Sequence, residues 1–226
     1  MFLFKSKKKK TLILTIHGFG KKRHHEFDPL CQYLKVKGWD CIQFDIYSLK
    51  DPEDAHFEQW IQRCEERIRS ALSLKRPIIL IGFSMGGVIA SYLASVYPVQ
   101  SLILVAPAFR YFDLQKLGSY SWHALRKLTA KEKSVPSSLQ TRSFMDIVDH
   151  YKDSVYHVSC PLLILHGTKD EVIPYESSRN IYNDLQASKK CLLLIEGGKH
   201  RMLYDGLGHE KPCFKIIESM LNNELL

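Results

Sequence analysis

Six short apolar runs recur along this chain of 226 residues, and they constrain its fold more than any other feature. Each run is nearly continuous in Leu, Ile and Val instead of alternating with polar residues. A β-strand has that composition when both of its faces are buried, as in a parallel sheet flanked by helices. The runs are TLILTI (11–16), DCIQFDI (40–46), PIILIG (77–82), SLILVA (101–106), PLLILH (161–166) and CLLLIE (191–196). We therefore predict a parallel sheet of about six strands.

Segments with helical spacing of apolar residues separate these runs. Between the second and third runs, for example, Trp60, Ile61, Cys64 and Ile68 fall on one stripe of a helix. The predicted helices cover 26–37, 54–74, 85–96, 176–187 and 210–223. The alternation of strand and helix predicts an α/β fold with a doubly wound sheet.

One stretch, residues 107–160, interrupts the alternation. It begins with aromatic and basic residues, continues into a polar segment, and contains no strand-like run. An insertion of this length in a regular βα series is usually functional and is often a lid. We predict a single domain over 1–226 with a small helical cap at about 108–155, after the fourth strand.

Composition limits the class of protein. Hydrophobic residues make up 45% and charged residues 25% of the chain, which is typical of a soluble globular protein. No apolar run approaches the roughly 20 residues that cross a bilayer, and the N-terminus does not have the order of charges and apolar residues found in a signal peptide. The six cysteines form no CxxC pair, which favours free thiols and a cytoplasmic location. Because Cys and His show no metal-ligand spacing, no metal or cofactor is predicted.

The formal net charge is +8, and a run of four lysines lies in a basic leader over residues 1–10. This run consists of Lys7, Lys8, Lys9 and Lys10. A solvated, mobile leader is the simpler interpretation, and weak contact with an anionic membrane surface is the alternative. No aromatic residues are interleaved with the lysines, so nucleic-acid binding is not predicted.

The segment GFSMG (82–86) carries the strongest chemical signal. It matches G-x-S-x-G and lies directly after a predicted strand and before a predicted helix, which is the context that this motif requires. Ser84 would occupy a tight turn in which Gly82 and Gly86 leave no room for side chains. Its hydroxyl would then be exposed above the edge of the sheet, beside a helix N-terminus that favours developing negative charge. We predict that Ser84 is a nucleophile.

Two later loops supply candidate partners for that serine. Asp170 and Glu171 follow the fifth strand, and His200 follows the sixth strand on a loop with two glycines. Loops at the carboxyl ends of parallel strands meet at one edge of the sheet, so an acid and a histidine from them can converge on Ser84. We predict Asp170, in preference to Glu171, as the orienting acid and His200 as the base. The remaining histidines lack this setting and are interpreted as surface or structural residues.

The loop HGFG (17–20) follows the first strand. An oxyanion hole needs two backbone N–H groups directed at one point, and we predict that Met85 and Phe19 supply them. His17 is an alternative base, but a structural role in bracing the loop is the favoured interpretation.

Taken together, HGFG, GFSMGG, HGTKDEVIP and GGKH resemble the motifs of the α/β-hydrolase superfamily and, within it, those of small carboxylesterases and monoacylglycerol lipases. The resemblance covers nearly the whole chain from Thr11 onward. It implies Ser84 as nucleophile, Asp170 as acid, His200 as base, and the oxyanion hole described above. Asp45 falls at a position where the family usually has a structural acid, so no catalytic role is predicted for it. Family members often have two further strands before the HG loop, so a reduced sheet is expected here.

These features predict a serine hydrolase that cleaves a carboxylic ester through an acyl-enzyme on Ser84. The small cap favours a short or medium acyl chain or a monoacylglycerol-like substrate. Trp122, Phe19 and Met85 are candidates for contacting that substrate, although packing within the cap explains Trp122 equally well. The same triad could serve a thioesterase, an amidase or peptidase, or a C–C or lactone hydrolase. A non-catalytic binding protein on this scaffold is a further alternative, but such proteins usually lose a triad member.

Overall fold

The computed structural model describes residues 10–109 and 136–226, and its strands form a parallel sheet. The six strands are β1 Leu12–Ile16, β2 Asp40–Ile42, β3 Ile78–Phe83, β4 Ser101–Val105, β5 Leu162–Gly167 and β6 Lys190–Ile195. They are ordered β2-β1-β3-β4-β5-β6, and every neighbouring pair is parallel. The predicted α/β fold with a parallel six-stranded sheet is confirmed.

Helices connect the strands and cover both faces of the sheet. Those in the described residues are α1 Asp28–Val36, α2 Phe57–Ser73, α3 Met85–Val96, α4 Ser138–Tyr151, α5 Tyr175–Asp184 and α6 Glu210–Leu221. Two short 3₁₀ segments, Arg23–Phe27 and Lys152–His157, precede α1 and follow α4.

Alternate residues of the central strands enter two separate apolar cores. In β3, Leu80 packs into a core with residues of α2, α3, α4 and α5, whereas Ile79 and Ile81 pack into a second core with residues of α1 and α6. Both faces of the sheet are therefore buried, which explains why the strands are apolar at consecutive positions.

The second strand is shorter than its apolar run. DCIQFDI predicts a strand over 40–46, but β2 pairs with β1 only over Asp40–Ile42. Beyond that point Phe44 and Ile46 stay buried, yet the backbone leaves the sheet, because the Ile46 N–H donates to the ring of His17. The apolar run thus continues into a buried loop that braces the loop after β1.

Helix α4 lies within the range predicted as a small helical cap, where the sequence analysis assigned no individual helix. Its N-terminus is a capping box, in which the Ser137 hydroxyl accepts the Gln140 N–H and the Gln140 side chain accepts the Ser137 N–H. Phe144, Ile147 and Val148 provide its buried face. The S-x-x-Q signature before an apolar stripe was the signal that could have predicted this helix.

Residues 110–135 lie outside the described part of the chain, as do Lys7, Lys8 and Lys9. Most of the predicted cap, including Trp122, falls in that range, so the cap and the role of Trp122 stay predictions. Across the described residues, every helix is too short or too polar to cross a bilayer. Lys10 is exposed and precedes β1, so it lies at the amino-terminal edge of the sheet. A cytoplasmic location and membrane contact by the lysine run also stay predictions.

Candidate active site

Ser84 occupies a sharp turn between β3 and α3. Its backbone has φ 54° and ψ −119°, a conformation that residues with a side chain rarely adopt and that stores about 1–3 kcal/mol of strain. A Cβ on Gly82 would lie 2.4 Å from the Gly86 carbonyl oxygen, and one on Gly86 would lie 2.0 Å from that of Ile16. Backbone crowding therefore requires glycine on both sides of this serine.

The turn brings Ser84 to His200, 116 residues further along the chain. The distance between Ser84 Oγ and His200 Nε2 is 3.1 Å, and that between His200 Nδ1 and Asp170 Oδ2 is 2.8 Å. Because a carboxylate only accepts, Nδ1 carries the proton and leaves Nε2 free to accept from the serine hydroxyl. Ser84 and His200 are 8% and 6% exposed, so this chain of hydrogen bonds is largely shielded from water.

Asp170 is held by several donors at the end of β5. Its Oδ1 accepts the N–H groups of Val172 and Ile173, each over 2.8 Å. Burial alone would raise the pKa of Asp170, but the charge of His200 and hydrogen bonds from His166 and His200 hold that pKa well below its ordinary value. The carboxyl is therefore ionised and fixed in orientation. Glu171 contacts the same loop differently, since its carboxylate accepts the backbone N–H of His200 over 3.3 Å.

His166 is a member of this network that the sequence analysis set aside as surface or structural. It is fully buried in β5, and its Nε2 donates to Asp170 Oδ2 over 3.1 Å and to the Ile173 carbonyl over 2.9 Å. Its Nδ1 lies 2.7 Å from the Ser178 hydroxyl, which can donate to it. The available signal was its position in HGTKD, four residues before the candidate acid and at the end of the same strand.

The loop of residues 17–20, named here the oxyanion loop, is braced from two sides. His17 Nδ1 donates to the Gly18 carbonyl over 2.7 Å, and its Nε2 accepts the Ile46 N–H over 2.9 Å. The Tyr47 hydroxyl exchanges hydrogen bonds with both backbone groups of Gly20. Burial lowers the pKa of His17 to about 4, so the ring is neutral at pH 7. With both nitrogens occupied, His17 supports the loop and is not placed to act as a base on Ser84.

Phe19 extends its ring over an aromatic cluster. It stacks on Phe144 of α4 with 5.0 Å between the ring centroids, and it also contacts Trp60 and Tyr47. Among the described residues, neither the Phe19 N–H nor the Met85 N–H has a hydrogen-bond acceptor. An oxyanion hole requires N–H groups that are free to donate, so this finding is compatible with the roles predicted for Phe19 and Met85, which stay predictions.

Asp45, for which no catalytic role was predicted, makes contacts that brace the chain near the oxyanion loop. Its carboxylate accepts from Arg23 over 2.6 Å and from His24 over 2.5 Å. Both donors belong to the 3₁₀ segment that follows the oxyanion loop, so Asp45 fixes the path of that segment. In the parts of the chain that the structure describes, no three His, Cys, Asp or Glu side chains are grouped to hold a metal ion.

Comparison with known protein families gives two matches. A model of the alpha/beta hydrolase fold matches residues 11–145, and one described as serine aminopeptidase, S33, matches residues 133–206. These two ranges together include all of the predicted triad.

Two curated relatives illustrate the level of sequence similarity. The chain is 25% identical over 188 residues to the mitochondrial palmitoyl-protein thioesterase ABHD10 of Mus musculus, a match that covers 76% of this chain and 62% of the relative. It is 26% identical over 208 residues to the lysophosphatidylserine lipase ABHD12 of Danio rerio, covering 80% of this chain and 48% of the relative. The chain thus spans about half to three fifths of the length of these relatives.

Solved structures share the whole fold. A monoacylglycerol lipase from Paleococcus ferrophilus aligns with a TM-score of 0.73 and 17% identity, covering 99% of this chain and 100% of that one. A monoglyceride lipase from Saccharomyces cerevisiae, solved with a substrate analogue, aligns with a TM-score of 0.74 and 18% identity, covering 98% and 89%. At such low sequence identities, the similarity shows a shared fold and does not extend to activity.

Proposed function

This chain belongs to the α/β-hydrolase fold family, and from that membership we propose that it is a serine hydrolase that cleaves a carboxylic ester. One observation carries the proposal: Ser84, His200 and Asp170 form a continuous chain of hydrogen bonds at a strained strand-to-helix turn. In this arrangement a hydroxyl, an imidazole and a carboxylate can act as nucleophile, base and orienting acid.

The first half of the reaction forms an acyl-enzyme. His200 Nε2 accepts the Ser84 proton across the 3.1 Å hydrogen bond as Oγ attacks the ester carbonyl carbon. The carbonyl oxygen becomes an oxyanion, which the N–H groups of Phe19 and Met85 stabilise, while Asp170 stabilises the imidazolium. The tetrahedral intermediate then breaks its bond to the alcohol oxygen, and that oxygen takes the proton from His200.

The second half releases the acid. Water enters the position that the alcohol has left, gives a proton to His200 Nε2, and attacks the acyl carbon. Collapse of the new tetrahedral intermediate breaks the bond to Ser84 Oγ, which recovers its proton from His200. The ester and one water molecule are the only reactants of these two steps, so the proposed reaction needs no cofactor.

For the substrate we propose an ester of a short or medium acyl chain, or a monoacylglycerol-like ester. The length of the insertion between β4 and β5 supports this choice, since a small cap leaves little room for a long acyl chain. Rates on p-nitrophenyl esters from acetate to palmitate test it. We expect a maximum at short or medium chains, and a maximum at palmitate would contradict the argument from the cap.

Thioester hydrolysis is the second candidate, because one relative is a palmitoyl-protein thioesterase. The same triad can attack either carbonyl, so matched ester and thioester substrates with an identical acyl chain distinguish the two activities. We expect a higher kcat/KM for the ester.

A covalent label tests the nucleophile. A fluorophosphonate probe should modify the wild type but not Ser84→Ala. Ser91→Ala is the matched control. The Ser91 hydroxyl is buried like that of Ser84, but it lies in α3, where it donates to the Gly87 carbonyl and takes no part in the proposed reaction. Labelling of Ser84→Ala at the wild-type level would refute the assignment.

A further inference from the structure

A carboxyl group that the proposed reaction does not use lies directly against the oxyanion loop. Glu26 belongs to the 3₁₀ segment before α1 and is only 4% exposed. Burial raises its pKa to about 7, against the opposing effects of two hydrogen bonds and of the charges of His200 and Arg201. A buried carboxyl destabilises a fold unless its oxygens are hydrogen-bonded, so its partners indicate its role.

The first partner is the backbone of the oxyanion loop. Glu26 Oε2 accepts the Gly18 N–H over 2.8 Å. A Cβ on Gly18 would lie 3.2 Å from that oxygen and 3.0 Å from the Phe83 ring, so the carboxyl fits closely against the loop. Gly18 immediately precedes Phe19, whose N–H is a candidate oxyanion donor. Glu26 therefore fixes the peptide next to that donor.

The second partner lies on the segment that carries His200. The Tyr204 hydroxyl donates to Glu26 Oε1 over 3.0 Å, and the Tyr204 N–H donates to the Arg201 carbonyl over 2.9 Å. Phe83 lies between the two loops, with its ring centroid 5.0 Å from that of His200 and 6.0 Å from that of Tyr204. The two oxygens of the Glu26 carboxyl thus bind two different segments, the oxyanion loop and the segment that carries His200. The proposed reaction depends on the relative position of these two segments.

We propose that Glu26 is a positioning residue that links the oxyanion loop to the His200 segment through Gly18 and Tyr204. The inference rests on the proposed function, because it concerns the distance between the oxyanion donors and the base. Within the described residues, the titratable or charged groups that face Glu26 are His200, Arg201 and Tyr204 from the segment after β6, and Tyr47 from the loop after β2.

Three variants separate the effect of the hydrogen bonds to Gly18 and Tyr204 from the effect of the charge of Glu26. Glu26→Ala removes both, and it should lower kcat about 10-fold to 100-fold with little change in KM, since a small misplacement of reacting groups has effects of that size. Glu26→Gln keeps an acceptor for Gly18 but loses the charge. It should retain most of kcat and leave KM unchanged. Tyr204→Phe removes the hydroxyl while its ring can still pack on Phe83, and it should lower kcat in the same direction as Glu26→Ala.

Glu218→Gln is the matched control. Glu218 also accepts a tyrosine hydroxyl, that of Tyr33, but this hydrogen bond joins α1 to α6 and involves neither the oxyanion loop nor the His200 segment. If Glu26→Ala does not fold, Glu26→Gln, Tyr204→Phe and their double variant decide the question, and the double variant should show non-additive effects on kcat. The inference is wrong if wild-type turnover depends on Ser84 while the Glu26 and Tyr204 variants all behave like Glu218→Gln; the proposed function then stands. If the wild type shows no Ser84-dependent turnover, the proposed function fails and the inference falls with it.

Discussion

His166 and His200 donate hydrogen bonds to the same oxygen atom, Oδ2 of Asp170, over 3.1 and 2.8 Å. Its other oxygen, Oδ1, accepts two backbone N–H groups from the turn that follows. The candidate acid is thus fixed by its surroundings before any substrate arrives, and it can hold the His200 ring in one tautomer and one orientation.

Replacing His166 should weaken both the fold and the reaction. His166→Phe keeps a ring of similar shape but leaves Asp170 Oδ2, the Ile173 carbonyl and the Ser178 hydroxyl each without this partner. Loss of a buried hydrogen-bond partner typically costs about 1–3 kcal/mol, and kcat should fall about 10-fold because Asp170 is less firmly held. Urea unfolding and ester kinetics measure the two effects. His150→Phe, an exposed histidine of α4, is the control, and equal results for the two variants would contradict this role.

Asp170→Asn should abolish most activity while leaving the fold in place. An amide nitrogen facing Nδ1 would favour the wrong tautomer of His200, and the corresponding change in serine proteases lowers kcat about 10⁴-fold. Glu171→Gln tests the alternative acid, since the Glu171 carboxylate accepts the backbone N–H of His200, whereas Asp170 binds the imidazole. We expect a much smaller loss for Glu171→Gln. The reverse order of the two losses would reassign the acid.

Gly86→Ala should destabilise the protein strongly, because the added Cβ would lie 2.0 Å from the Ile16 carbonyl oxygen and 2.5 Å from that of His17. Backbone atoms of β1 would have to move, and we expect a loss of about 3 kcal/mol or more in the free energy of unfolding. Gly20→Ala is the comparison, since its Cβ would meet nothing closer than 4.0 Å and its loss should stay within about 1 kcal/mol. Similar urea midpoints for the two variants would show that the crowding at Gly86 is relieved at little cost.

The pH dependence of stability should change in a defined direction in Glu26→Gln. Glu26 has a folded-state pKa raised to about 7, so between pH of about 4.5 and 7 the folded wild type binds more protons here than the unfolded chain. The wild type therefore loses stability from this group as the pH rises through that window. His17, with its pKa lowered to about 4, acts in the opposite direction between about 4 and 6.5 and partly offsets it.

Glu26→Gln has no carboxyl that titrates at this position, so it does not lose the stability that the wild type loses between pH of about 4.5 and 7. The free energy of unfolding of Glu26→Gln, relative to wild type, should therefore rise by on the order of 3 kcal/mol from pH 4.5 to pH 7. Urea titrations of both proteins at several pH values measure the difference, in which the contributions of all other groups cancel. A difference that is constant with pH would mean that Glu26 titrates at its ordinary value.

Much of the fold could be predicted from the sequence, because burial on both faces gives each strand a run of apolar residues with clear ends. The apolar run at 40–46 predicted a strand that was too long, and the reason is physical. Phe44 and Ile46 are as buried as strand residues, although they belong to a loop whose backbone bonds to His17 instead of to β1. Hydrophobicity reports burial and does not report which backbone partner a residue has.

The candidate site was predictable where local sequence determines geometry. G-x-S-x-G requires a crowded turn, and loops at the carboxyl ends of parallel strands must meet, so the convergence of Ser84, Asp170 and His200 follows from motif and topology. The supporting residues were not predictable in this way. Glu26 and Tyr204 are 178 residues apart, and only the folded chain brings them together. His166 is close to Asp170 in sequence, but its contact depends on the turn after β5.

The proposed mechanism requires that Ser84 is covalently acylated, and a pre-steady-state burst with mass analysis of the protein and of its peptides tests this most directly. Mixed with excess p-nitrophenyl butyrate, the wild type should release close to one equivalent of p-nitrophenol per enzyme in a burst and gain the mass of one butyryl group on the peptide that contains Ser84. Ser84→Ala should show neither. A burst with the acyl group on another residue, or full turnover by a well-folded Ser84→Ala protein, would contradict the central claim.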